Sequence, residues 1–152
     1  MKYILATALS FVLCTSLFAQ EYRLAAGGRL GSANGFTLKY FAGEYTAIES
    51  IVAYRKEGIR VIALAEQHIP LGRRSQTSFF FGAGAHAGFT GLLQAEGVAR
   101  PSYGADAIVG FEYVFDHSPV AVSVDIKPEI ELHKGRVFSG NNAGLSLRFY
   151  LD

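Results

Sequence analysis

Between Val120 and Leu132 the chain reads VAVSVDIKPEIEL, which alternates almost without error between apolar and polar residues. Val120, Val122, Val124, Ile126, Ile130 and Leu132 share one parity; Ala121, Ser123, Asp125, Lys127, Glu129 and Glu131 share the other. Successive side chains of a strand point to opposite faces, so the stretch is a strand with one apolar and one charged face. Two architectures can use such a strand. In a soluble sandwich or barrel the apolar face is the core, whereas in a transmembrane barrel it meets lipid and the charged face lines the interior.

The amino terminus narrows the choice. Lys2 precedes an apolar run from Tyr3 to Leu13 and a stretch of small and apolar residues ending at Ala19. That is the layout of a secretory signal peptide over residues 1–19, cut after Ala19, with residues 20–152 as the mature domain. Cys14 allows lipid attachment as an alternative, although Leu13 is larger than the residue that normally precedes a lipidated cysteine. A chain cut after Ala19 holds no cysteine, so its stability must come from a core or a bilayer rather than from disulfides. Beyond the signal no apolar run approaches the roughly 20 residues of a membrane helix, so any insertion must be by strands. The net charge of +1, with 18% charged and 50% hydrophobic residues, gives no reason to expect a nucleic-acid partner or disorder.

Alternation recurs along the chain. Strands are predicted at 22–30, 36–42, 45–55, 59–68, 77–89, 103–115, 120–132 and 145–151. Only 45–55 also fits one face of a helix, through Ile48, Ile51, Val52 and Arg55; the short turns flanking it favour a strand. Several of these eight strands have about the 9 to 11 residues that cross a bilayer when tilted. The fold class expected is all-β, an eight-stranded antiparallel up-and-down transmembrane β-barrel after a cleaved signal peptide.

Charges sort by parity in the same sense. The polar faces carry Arg23, Arg29, Lys39, Arg55, Arg60, Lys127 and Arg148 against Glu49, Glu66, Asp106, Glu112, Asp125, Glu129 and Glu131. The two signs balance, as a narrow barrel filled by its own side chains requires. With His86, these residues are the expected interior polar network. Loop lengths agree: the longest connections, 90–102 and 133–142, follow odd-numbered strands, while the DHSP turn at 116–119 and Gly43–Glu44 follow even-numbered ones. Pro128 interrupts the organising strand and predicts a bulge, or an early end to pairing, near the outer rim.

The run GFEYVF, the DHSP turn, VSVDIKPEIEL, the terminal GLSLRFYLD and the earlier FFFGAGAHAGF resemble the small porin-family outer-membrane β-barrel proteins of Gram-negative bacteria, of the OmpA/OmpX barrel type. The resemblance implies an outer-membrane location, lipid as the surrounding partner and recognition of the last strand by the barrel-assembly machinery. Phe149 and Tyr150 supply aromatics there, but Leu151 and Asp152 follow where that signal has a final aromatic. A monomer is expected, and the resemblance brings no activity.

Chemistry is sparse. His117 and Ser118 are adjacent but belong to a tight turn. His133 with Ser139 and Glu131 lies nearer the outer rim, where lipid-modifying barrel enzymes place a Ser, a His and an acid. His68 and His86 share the interior parity with Glu66, without a recognisable ligand spacing, and read as members of the polar network. The glycines at 82–88 are strand glycines with no helix after them, so no phosphate loop, cofactor or metal set is expected. Three readings follow: a structural or binding barrel acting through its outer loops, a lipid A-modifying enzyme of the same fold, and a secreted lipocalin-like barrel with an apolar ligand cavity.

Overall fold

The computed structural model describes residues 23–55, 58–72, 76–90, 99–132, 137–140 and 142–151; the expected signal segment lies outside them. The strands are β1 (Leu24–Gly31), β2 (Asn34–Phe41), β3 (Thr46–Arg55), β4 (Gly58–Pro70), β5 (Thr77–Thr90), β6 (Arg100–Val114), β7 (Val120–Ile126), β8 (Glu129–Glu131), β9 (Val137–Ser139) and β10 (Ala143–Leu151). Each pairs antiparallel with its neighbour, and β10 returns to β1 from Leu24↔Leu151 to Gly31↔Gly144, closing the sheet. Since β8 continues β7 and β9 leads into β10, the wall has eight strands. Segment 45–55 is strand rather than helix, paired with β2 and β4 along its length.

Pro128 separates β7 from β8 in an unexpected way. Both pieces pair with β6 in one unbroken register, Val109↔Ile126 and Asp106↔Glu129. Ala107 N donates to Pro128 O at 2.9 Å, so the ring removes only the proline's own donor. The extra residue sits opposite, on the neighbouring strand. Lys127 N bonds Asn142 O while Glu129 pairs with Ser139, leaving one more residue on the 139–142 side. That offset of one residue between the two pairings is the count of a β-bulge.

Pairing also runs further toward the long-loop end than alternation suggested. Arg100–Ser102 joins β6 opposite Gly88–Thr90, and Val137–Ser139 pairs with β8, so the expected loops 90–102 and 133–142 are shorter than drawn. Hydrogen bonding carries strands outward after the membrane-type pattern fades.

The structure decides which face looks inward. Among the described residues, large apolar side chains such as Leu38, Ile48, Val61, Val124, Leu145 and Leu147 are exposed, while Arg148, Lys39, Glu49 and Ser146 are fully buried. A lipocalin-like apolar cavity would need the reverse. Most of the buried apolar groups among the described residues form one small cluster, Ala33, Ile51, Ala53, Ile62, Leu64, Phe80 and Ile108, with Ala25, Ala47 and Ala121 outside it. Along β4, Ile62 and Leu64 lie between Arg60 and Glu66, and along β6, Ile108 lies between Asp106 and Glu112. The cluster thus separates two groups of interior charges.

Candidate functional site: the charged interior

The first group lies toward the end closed by the turns at 42–45 and 115–119. Five strands contribute charge, because alternation on each sends a charged side chain inward at that level. Lys39 Nζ on β2 is 2.9 Å from Glu66 Oε2, 3.2 Å from Glu112 Oε2 and 3.6 Å from Glu49 Oε2. Arg148 on β10 reaches Glu112 at 2.9 Å and Glu49 at 2.5 Å. Its guanidinium also donates to Ser123 Oγ at 2.8 Å and Thr37 Oγ1 at 3.3 Å, and Thr37 in turn donates to Glu49. His68 completes the group, 3.3 Å from Glu66 and stacked on Phe80 at 5.2 Å between ring centroids. The Lys39 ammonium lies 4.6 Å from the centre of the same Phe80 ring, a favourable placement for a desolvated cation.

The second group lies toward the other end. Arg60 bonds Glu131 and lies 3.1 Å from Glu129. Lys127 is 2.5 Å from Asp106 and 3.3 Å from Glu129, and His86 Nδ1 is 2.7 Å from Asp106 Oδ2. Ser102 donates to both oxygens of Glu131, at 3.0 and 3.1 Å. A separate bidentate pair joins Arg29 on β1 to Asp125 on β7, with Nη2 2.6 Å from Oδ1.

Of the residues picked out by parity, Arg29, Lys39, Glu49, Arg60, Glu66, His86, Asp106, Glu112, Asp125, Lys127, Glu129 and Arg148 are buried and Glu131 is half-buried. Arg23 departs from the expectation. It is exposed and precedes the first residue of β1, so its inward parity carries it past the wall into water at the turn end. Arg55 is the last residue of β3, and its side chain lies outside the described set. His133 lies outside it as well. His117 and Ser118 are exposed in the β6–β7 turn, His117 with a left-handed φ of 64°, consistent with turn-forming residues. The hydroxyls of Thr37, Ser102 and Ser123 were missed; their only signal was sharing a parity with the charges.

Glycines make room for the larger members. A Cβ on Gly144 would lie 2.2 Å from Nη2 of Arg29, and one on Gly104 would lie 2.1 Å from the Ile130 carbonyl oxygen and 2.7 Å from His86 Cε1. The Ile130 contact is backbone and cannot swing away. Gly104→Ala is expected to destabilise the folded barrel by about 1–3 kcal/mol through overpacking, read as a lower urea midpoint in detergent; an unchanged midpoint would mean that the wall yields there.

No family model matches the chain, and no curated protein matches it either. The crystal structure of the N-terminal β-barrel domain of Pseudomonas aeruginosa OprF is similar, with a TM-score of 0.65 over 84% of this chain and 94% of that one, at 16% sequence identity. The fold is that of an eight-stranded outer-membrane barrel. Such a likeness at low identity is a likeness of wall, strand number and closure, set by alternation and hairpins rather than by particular side chains.

Proposed function

We propose that this chain is a small integral outer-membrane barrel, entering the export path through residues 1–19. Its interior is closed by ion pairs rather than open as a pore, and its role is structural or in binding through the segments at 90–102 and 133–142. One observation carries the membrane reading: apolar residues cover the outside of the wall while its charges turn inward, and aromatics ring both ends. Tyr40, Phe81, Phe111, Tyr113, Phe115 and Phe149 are exposed near the turn end, and Phe36, Tyr54, Phe89, Tyr103 and Phe138 near the other. Between them the outward face is aliphatic or alanine apart from Gly28 and Ser50. Aromatic girdles flanking an apolar band match the two interfaces of a bilayer, and an apolar surface of this extent is unsuited to water.

The closed interior rests on the two charge groups and the apolar cluster between them. Eight strands leave a lumen just wide enough for side chains, and here those side chains bond to one another across it. With charges paired inside, the barrel needs no partner subunit to cover them, which supports a monomer. The barrel-assembly machinery would read β10, whose outer face ends in Phe149 and Leu151.

Fractionation of expressing cells tests the location. The protein should be recovered with the outer membrane and should migrate differently before and after boiling. In planar bilayers it should give no discrete conductance steps. Recovery as a soluble periplasmic protein would overturn the membrane reading, and steady ohmic steps would overturn the closed interior.

A further inference from the structure

We infer that the second interior group is a binding site for one divalent transition-metal cation, held by His86 Nε2 and the Glu131 carboxylate, with Asp106 orienting the imidazole. His86 is 3% exposed, and its two nitrogens are in different situations. Nδ1 lies 2.7 Å from Asp106 Oδ2. Nε2 is buried without a hydrogen-bond partner among the described residues. An imidazole tied to a carboxylate through one nitrogen, with the other nitrogen bare, is the arrangement that metal-binding histidines adopt, because the carboxylate fixes the ring and raises the basicity of the free nitrogen.

The donor separation at Nε2 suits an ion. Glu131 Oε1 is 3.5 Å from Nε2, about the 3.3–3.5 Å edge that two donors span around a tetrahedral metal at bond lengths of about 2.0–2.2 Å. A Cβ on residue 104 would fall 2.9 Å from Nε2, so Gly104 keeps that side of the ring clear. His86, Asp106 and Glu129 also converge, with one donor atom of each within 4.8 Å of the others, but Lys127 bridges those two carboxylates, so they supply negative charge to the group rather than ligands on the Nε2 side.

Charge balance favours a cation as well. The group contains the carboxylates of Asp106, Glu129 and Glu131 against the permanent charges of Arg60 and Lys127. Lys127 occupies the side facing Asp106 and Glu129, and Arg60 shares Glu131 Oε1, so the ion belongs on the Nε2 side and engages Glu131 as Arg60 relaxes toward Glu129. Glu131 is half-buried, unlike Asp106 and Glu129, and lies nearest the loop end, where an ion would arrive from solvent. An imidazole among carboxylates suits zinc or cobalt better than calcium or magnesium, which prefer oxygen throughout. The inference concerns the interior alone and does not depend on where the barrel resides.

Cobalt titration of the untagged, detergent-folded protein, followed by visible absorption and displaced by zinc, tests it. One equivalent should bind, with bands of low-symmetry cobalt. Binding should be lost in His86→Gln, weakened at least tenfold in Glu131→Gln, and unchanged in His68→Gln and His117→Gln. Heat-dependent migration shows whether each variant has folded. Should His86→Gln fail to fold, Glu131→Gln decides, because its half-buried position tolerates the change. No binding at millimolar cobalt, full binding in His86→Gln, or undiminished affinity in Glu131→Gln would each overturn the site.

Discussion

Arg148→Met is expected to lower the stability of the folded barrel by about 3–5 kcal/mol, the cost of removing one partner from a buried ionic network. Arg148 is fully buried, and its guanidinium holds Glu49 at 2.5 Å and Glu112 at 2.9 Å. Without it, the carboxylates of Glu49, Glu66 and Glu112 converge on the single ammonium of Lys39. Methionine fills much of the volume but supplies no donor, so the loss is electrostatic rather than a cavity. Adding Glu49→Gln to Arg148→Met should restore part of the stability by removing one uncompensated charge. Urea unfolding in lipid vesicles measures both. A loss below about 1 kcal/mol in the single variant would place the network among exposed pairs, and a double variant no better than the single would mean that Glu49 is not the carboxylate left stranded.

The second large effect concerns the outer face. Leu147 is exposed near the middle of β10, opposite Val122 and Gly28, where the bilayer midplane would lie. Leu147→Arg is expected to cost about 2–4 kcal/mol, whereas Leu30→Arg, near the loop end of β1, should cost about 0–1 kcal/mol. The starting residue is the same, so the difference reports depth. Equal costs at both positions would be inconsistent with a surrounding bilayer. A gain in solubility without loss of fold would point the same way.

How the interior assembles explains how much of it could be read in advance. Alternation assigned Lys39, Glu66, Glu112 and Arg148 to polar faces because parity is a local property of a strand. It could not say that Lys39 would meet Glu66 and Glu112, because those contacts depend on which strands stand across the lumen. Nor could it divide the charges into two groups, since the apolar cluster that separates them draws Ile51, Ile62, Leu64 and Ile108 from the same parity as the charges. Arg23 marks the limit of parity in another way: alternation continues past the end of the wall, but burial does not. Pro128 shows a third limit, because the residue that accommodates it is on the neighbouring strand.

The sequence by itself determined the strand number, the division of each strand into an apolar and a charged face and the sorting of charges, because a period of two is written residue by residue and each hairpin is local. It also left the apolar face with two possible destinations, a core or a lipid surface. Only closure turned that face outward, the orientation that a lipid surface would require. When β10 pairs with β1, the face carrying the charges curves inward into a space that its own side chains fill. Which carboxylate meets which cation, and why Nε2 of His86 has no hydrogen-bond partner among the described residues, follow from the register of that closed ring, a long-range property that no single strand contains.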